Sequence, residues 1–245
     1  MLGGKTAIIT GASRGIGRAI AIMFAEQGCF VGINYHTNKK QALETLKLVK
    51  QQRGDGMLLQ ADISNESSVT AMINEVVNQK ERIDILVNNA GIYIRNRFEQ
   101  IDRAIWNRVI NVNLNACFDL SQKVIPHMKE QGKIIFISSQ LAFKGTSHGA
   151  DYATSKAGML GLMRSLAIEL APIPINVNAV APGTIDTDII AHYSQETRQR
   201  RINEIPLGRL GTPQDVASVC LFLSSDFSNY ITGETIHVNG GLYIH

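Results

Sequence analysis

The sequence predicts an α/β fold built on one doubly wound, parallel, seven-stranded sheet with helices on both faces. Three observations lead there. Apolar runs of strand length recur with helix-length stretches between them. The runs are continuous rather than alternating, so both faces of each strand meet a hydrophobic layer, as in a parallel sheet. Residues of turn-forming or catalytic type stand just after the runs, at the strand ends where ligands bind in such sheets.

The first run, residues 7–10, is followed at once by Gly11-Ala12-Ser13-Arg14-Gly15-Ile16-Gly17. A helical pattern through Ile16, Ile20, Met23, Phe24 and Gln27 then stops at Gly28. A strand, a glycine-rich turn and a helix N-terminus together form a pyrophosphate site from backbone amides and the helix dipole. The spacing is G-x-x-x-G-x-G rather than G-x-G-x-x-G, and taken alone it also fits a turn with no nucleotide. The second run, 30–35, ends in Asn34-Tyr35-His36-Thr37, and the third, 57–61, leads into Asp62. Asp62 reads equally as a ligand residue or as a cap for a helix starting near Glu66. The fourth run, 83–87, ends in Asn88-Asn89-Ala90-Gly91. Spacings of three and four from Trp106 to Met128 predict one long helix with a buried stripe and a second contact surface. Runs five to seven are 133–138, ending at Ser139, 175–180, followed by Pro182-Gly183, and 234–238. No internal repeat or linker interrupts the pattern, and one domain over residues 1–245 is expected.

Tyr152-Ala153-Thr154-Ser155-Lys156, with Ser139 upstream, carries the chemistry. Side chains at i and i+4 share a helix face, so a phenol and an ammonium become neighbours. A free tyrosine has a pKa of about 10. A nearby cation is expected to lower it toward neutrality. Ser139 would hold a substrate oxygen within reach of Tyr152, a trio suited to proton transfer at a carbonyl or alcohol oxygen. The flanking Ala157, Met159, Leu160, Met163, Leu166 and Ala167 support a buried helix there. Tyr35 and Lys39 repeat the spacing, but at a strand end leading into a basic loop.

Composition narrows the function classes. The chain has 245 residues, 44% hydrophobic and 18% charged, with a net charge of +3 from scattered basic residues. That suits a globular core and gives nucleic-acid binding little support. Cys29, Cys117 and Cys220 sit far apart in apolar segments, which fits a reducing compartment and no disulfide framework. The histidines show no metal-ligand spacing, no apolar run reaches the length of a membrane span, and the first residues do not open a signal peptide. A soluble, cytoplasmic protein without a metal is expected.

Thr10-Gly11-x-x-x-Gly15-x-Gly17, Asn88-Asn89-Ala90-Gly91, Asn113, Ser139, Tyr152, Lys156 and Pro182-Gly183 with Thr187 resemble the short-chain dehydrogenase/reductase family over essentially the whole chain. The resemblance implies a Rossmann-type sheet and a catalytic set of Asn113, Ser139, Tyr152 and Lys156. Tyr152 would be the acid or base, Lys156 would bind the nicotinamide ribose, and Asn113 would hold a relay water. It also implies cofactor contacts at Gly11, Ser13, Arg14, Gly15, Ile16, Gly17, Asp62, Ile63, Asn89, Ala90, Gly91, Tyr152, Lys156, Pro182, Gly183, Ile185 and Thr187. The ending 230–241 and the segment 206–211 are most similar to the carrier-protein reductases of that family, which act on 3-oxoacyl thioesters and are usually homotetramers. The apolar tail Leu242-Tyr243-Ile244 fits subunit contacts.

Two local readings refine that expectation. Residues 34–37 contain no carboxylate to repel a 2′-phosphate, and Arg14, Lys39 or Lys40 could neutralise one, which points to NADPH. Where carrier-protein reductases present an arginine to an acidic acyl-carrier protein, this chain has Ile173, leaving Lys129 or Lys133 as substitutes. Substrate acceptors such as a coenzyme A thioester or a free ketone therefore stay open, as does a sugar or alcohol dehydrogenase. Substrate contacts are expected from Ser139, Gln140, His148 and Tyr152, with Phe143 and residues 92–95 as walls. A mobile lid is expected over residues 184–204.

Overall fold

The computed structural model describes residues 1–52, 54–128 and 131–244. One sheet of seven parallel strands has the order β3-β2-β1-β4-β5-β6-β7. The strands are β1 (Thr6–Ile9), β2 (Phe30–Tyr35), β3 (Asp55–Gln60), β4 (Ile85–Asn88), β5 (Lys133–Ile137), β6 (Asn176–Pro182) and β7 (Thr235–Val238). The order reverses direction between β1 and β4, which opens a crevice beyond their carboxyl ends.

Side-chain alternation on the strands feeds two cores. On β1, Ala7 and Ile9 point to one layer and Ile8 to the other. The first layer is closed by α1 (Gly15–Glu26), α2 (Lys39–Gln51) and α9 (Pro213–Ser224) through Ile20, Phe24, Val49, Val216 and Cys220. The second is closed by α3 (Glu66–Lys80), α5 (Ala116–Val124) and α7 (Ala150–Glu169) through Val69, Ile73, Leu120, Met159 and Met163. Of the remaining helices, α4 (Arg103–Ile110) and α6 (Leu141–Lys144) pack against α7, and α8 (Gln195–Glu204) follows β6. Helix starts follow their capping residues: Asn38, Asn65, Asp102, Ser194 and Thr212 each accept a backbone N–H of the first turn.

The expected long helix through residues 106–128 is corrected. It is α4, then a π-helical turn Asn111–Asn115, then α5, then a 3₁₀ turn Ile125–His127. Apolar spacings of three and four continue through the π turn, so the sequence pattern conceals it. The extra residue of that turn swings Asn113 into the interior, where it is fully buried. Phe118, on the outer side of α5, remains 48% exposed. Lys133 is corrected as well. Only 1% exposed, it begins β5 and donates to Asn176 Oδ1 and Asn229 Oδ1, both at 2.7 Å, so it faces no partner protein. Lys129 lies outside the described residues.

Candidate active site

Ser139 follows β5, and Tyr152 and Lys156 sit on the first turns of α7, packed against that strand end. Tyr152 hydrogen-bonds Ser139, and Ser139 Oγ also accepts the Leu141 N–H at 3.1 Å. Lys156 Nζ donates to the Ile137 carbonyl at 2.7 Å and lies 5.8 Å from the Tyr152 ring centre. The phenol does not move as expected from the sequence. Burial pushes its pKa up to about 12, against the smaller opposing effect of the Ser139 hydrogen bond. The ammonium is engaged by Ile137, and burial pushes it down to about 8. Tyr152 therefore carries its proton at neutral pH, the state a general acid requires.

Asn113 is held by three hydrogen bonds. Its Nδ2 donates to Ile92 O at 2.9 Å and to Ser155 Oγ at 3.1 Å, and its Oδ1 accepts Ile92 N–H at 2.8 Å. Ser155 Oγ in turn donates to Tyr152 O at 2.7 Å. Asn113 thus joins the segment after β4 to α7. Ser155, between Tyr152 and Lys156, was missed in the sequence because a serine on a helix offers no signal of its own.

The glycine turn after β1 is pinned from its neighbours. Asn89 Nδ2 donates to Thr10 O at 2.8 Å, and Asn34 Oδ1 accepts Gly11 N–H at 3.1 Å. Asn34 Nδ2 also bonds Leu59 O and Ala61 O, so one buried amide ties β1, β2 and β3 together at the crevice. The sequence offered only its strand-end position as a hint. The turn leaves room for backbone alone: a Cβ on Gly17 would lie 2.6 Å from both Gly11 O and Asn89 Nδ2. Gly17→Ala is expected to cost about 1–3 kcal/mol through this overpacking. Thermal melting checks it, as a fall in Tm of several degrees, and an unchanged Tm would mean that the turn relaxes freely.

The other expected nucleotide contacts border the same crevice. Ser13, Gly15 and Ile16 are partly exposed along the turn, Asn89, Ala90 and Gly91 follow β4, and Pro182 and Gly183 end β6 with Thr187 beyond. A Cβ on Gly91 would lie 3.2 Å from Asn113 Oδ1 and 3.5 Å from Lys156 Nζ, so Gly91 abuts both side chains. Ile63 and Ile185 are only 7% and 6% exposed and pack into the two cores. Asp62 does not cap α3, a role taken by Asn65. It accepts Ser64 N–H at 2.9 Å and Ser64 Oγ–H at 2.7 Å, with His36 Nε2 3.7 Å away. Its pKa is lowered by those Ser64 bonds and by His36, against an opposing burial effect. Arg14 is not an unpaired guanidinium: Nη1 meets Asp188 Oδ2 at 2.9 Å, joining the glycine turn to the segment 184–204. A second ion pair, Arg198 to Asp186 at 2.6 Å, lies within that segment.

At the crevice mouth Tyr93 stacks on Tyr152 with ring centres 4.4 Å apart, and its hydroxyl donates to His148 O at 2.9 Å. Gly149, at φ 141°, makes this possible, since a Cβ there would stand 2.5 Å from the Tyr93 ring. Gln140 is buried at 5%, and its Oε1 has no hydrogen-bond partner among the described residues. Phe143 packs against His237 and Tyr243, so part of the apolar tail folds onto its own chain, whereas Ile244 stays 81% exposed. Tyr35 ends β2 and Lys39 begins α2, so the second Tyr-x-x-x-Lys is a strand end and a helix start. Among the described residues no group of three or more His, Cys, Asp or Glu is placed to hold a metal ion, and no helix is long and apolar enough to cross a membrane.

Known proteins are similar to this chain over nearly its whole length. A family model described as enoyl-(acyl carrier protein) reductase matches residues 11–243. A 3-oxoacyl-[acyl-carrier-protein] reductase of Staphylococcus aureus is 44% identical over 242 residues, 98% of each chain. The protein so described in Aquifex aeolicus is 41% identical over 244 residues, 99% of this chain and 98% of that one. Among solved structures, a dehydrogenase/reductase from Sinorhizobium meliloti superimposes with a TM-score of 0.95 at 34% identity, covering 99% of this chain and 96% of that one. A short-chain dehydrogenase from Burkholderia cenocepacia in complex with NADP gives 0.94 at 31% identity, over 98% of both chains. With full-length matches in sequence and in fold, this chain is an oxidoreductase belonging to the short-chain dehydrogenase/reductase family.

Proposed function

We propose that the protein is an NADPH-dependent reductase of 3-oxoacyl thioesters, carried on acyl-carrier protein or coenzyme A. The observation that carries this reading is Tyr152 beside Ser139 at the strand ends, next to a glycine turn in which Gly11 and Gly17 have no room for a Cβ. The relatives described as 3-oxoacyl-[acyl-carrier-protein] reductase and the neighbour in complex with NADP support the choice of substrate and cofactor. The cradle fits a dinucleotide: Gly11, Ser13, Gly15, Ile16 and Gly17 would hold the pyrophosphate against the start of α1. Asp62 and Ile63 would flank the adenine, Asn89, Ala90 and Gly91 the ribose, and Pro182, Gly183, Ile185 and Thr187 the nicotinamide. When bound, the dihydronicotinamide supplies the hydride.

The chain's own groups do the rest. Ser139 Oγ holds the ketone oxygen, and Tyr152 gives its phenolic proton to that oxygen as negative charge develops there. Lys156, charged below about pH 8, stabilises the phenolate left behind and holds the ribose. Asn113, through Ile92 and Ser155, fixes Lys156 and Tyr152 relative to the crevice and would hold the relay water that refills Tyr152. Residues 184–204 would close over the substrate.

Ile173 is 52% exposed and gives an acidic carrier no guanidinium, which favours coenzyme A thioesters over carrier-bound ones. Following NADPH oxidation at 340 nm with acetoacetyl-CoA and acetoacetyl-carrier protein tests both points. Turnover on either is expected, with the higher kcat/KM on the coenzyme A substrate. Silence on both with activity on a sugar or simple ketone would discard the thioester assignment.

Arg14 would exchange Asp188 for the 2′-phosphate, a charge-assisted bond in each case. Arg14→Gln is expected to raise KM for NADPH about tenfold. Steady-state kinetics with both cofactors checks this, since KM for NADH should change far less. Equal changes for the two would remove Arg14 from cofactor choice.

A further inference from the structure

One charged group at the crevice mouth has no role in that mechanism. Arg95 is half-buried, and among the described residues its hydrogen bonds go only to neutral partners. Nη1 donates to the Tyr193 hydroxyl at 2.8 Å, and Nη2 meets His148 Nε2 in a close contact. Its guanidinium also lies 5.8 Å from the Tyr93 ring centre and 5.4 Å from that of Tyr193. Tyr93 therefore touches both this cation and the ring of Tyr152.

Among the described residues no carboxylate is hydrogen-bonded to Arg95, although the buried Asp151 acts electrostatically on the adjoining Tyr93. Arg201 adds a second cation on the same side, itself paired to Glu204 at 2.8 Å and in contact with Tyr193. His148 offers no counter-charge. It accepts from Arg95 through Nε2, so its proton resides on Nδ1, 3.0 Å from Ser147 Oγ. Burial first, then Arg95 and Arg201, lowers its pKa and holds the ring neutral. A half-buried guanidinium whose hydrogen-bond partners are a hydroxyl and an imidazole gains from an anion brought to it. Tyr193 belongs to the segment expected to close over the substrate, so such an anion would arrive with the substrate.

We propose that Arg95, framed by Tyr93, Tyr193 and His148, selects substrates carrying an anionic group, a carboxylate or a phosphate, apart from the ketone being reduced. This rests on the reductase reading above, and it makes Arg95 a specificity-determining residue. A phosphate would come from the pantetheine arm or nucleotide of the carrier, a carboxylate from the far end of the acyl chain.

Three substrates separate the sources: acetoacetyl-CoA, the neutral N-acetylcysteamine thioester of acetoacetate, and an N-acetylcysteamine 3-oxoacyl thioester ending in a carboxylate. The readout is the ratio of kcat/KM for each anionic substrate to that for the neutral one. In Arg95→Gln at least one ratio is expected to fall about tenfold, and in Arg95→Lys the same ratio should be largely kept. A fall in the coenzyme A ratio assigns the phosphate, and a fall in the other assigns the carboxylate. If neither ratio moves in Arg95→Gln, even when all three rates drop together, Arg95 is only part of the wall and the inference is overturned. If the wild type reduces none of the three, the thioester reading fails separately. The same ratios, taken from calorimetric Kd values in the presence of NADPH, then decide the inference.

Discussion

Tyr152→Phe is expected to lower kcat for ketone reduction by about 10²–10⁴-fold, the range a positioned general acid contributes. The substitution removes one oxygen and little else. The ring keeps its stack on Tyr93 at 4.4 Å, and the helix keeps its Asn113–Ser155 tie to the segment after β4. NADPH affinity should therefore change by no more than a few-fold, which fluorescence titration measures independently of turnover. Retention of more than a tenth of wild-type kcat would mean that another group protonates the oxygen.

Lys156→Ala is expected to damage binding and turnover together. Lys156 is 3% exposed, and its ammonium is the donor to the Ile137 carbonyl at 2.7 Å. Removing it leaves that carbonyl unpartnered and takes the positive charge from beside Gly91, where the ribose would lie. A tenfold weaker Kd for NADPH and a kcat lower by about two orders of magnitude are expected. The pH profile supplies a second check. Burial holds the Lys156 pKa down to about 8, so the group is charged below that pH and neutral above it. In the wild type, kcat/KM for NADPH, which reports the free enzyme, should be level up to about pH 8 and fall above it. In Lys156→Ala that alkaline limb should vanish. A limb that persists would belong to another group.

Much of this was legible from the chain because the signals are local. Continuous apolar runs marked all seven strands to within about two residues, since a strand buried on both faces cannot alternate. The glycine turn and the Tyr152–Lys156 spacing were readable because a tight turn and an i,i+4 pair are geometric consequences of near neighbours. The π turn at Asn113 was not, because apolar spacings of three and four run straight through it. Contacts between distant segments were hidden too: Arg14 with Asp188, and Arg95 with His148 and Tyr193, join residues that no periodicity relates. Lys133 stands at the start of the fifth run, but only the structure shows that its ammonium turns inward to Asn176 and Asn229 and is not free to meet an acidic carrier. The direction of the Tyr152 shift was misjudged for a related reason. Sequence spacing brings the ammonium close, but only packing reveals that the phenol is raised by burial and that Ile137 engages the cation.

The most direct test of the reduction chemistry uses NADPH deuterated at both hydrogens of the nicotinamide C4, with acetoacetyl-CoA as acceptor and mass spectrometry of the product. Deuterium at C3 of 3-hydroxybutyryl-CoA is expected with the wild type, and labelled product formed about 10²–10⁴-fold more slowly with Tyr152→Phe. Unlabelled 3-hydroxybutyryl-CoA, or labelled product formed equally fast by both proteins, would contradict hydride transfer coupled to protonation by Tyr152.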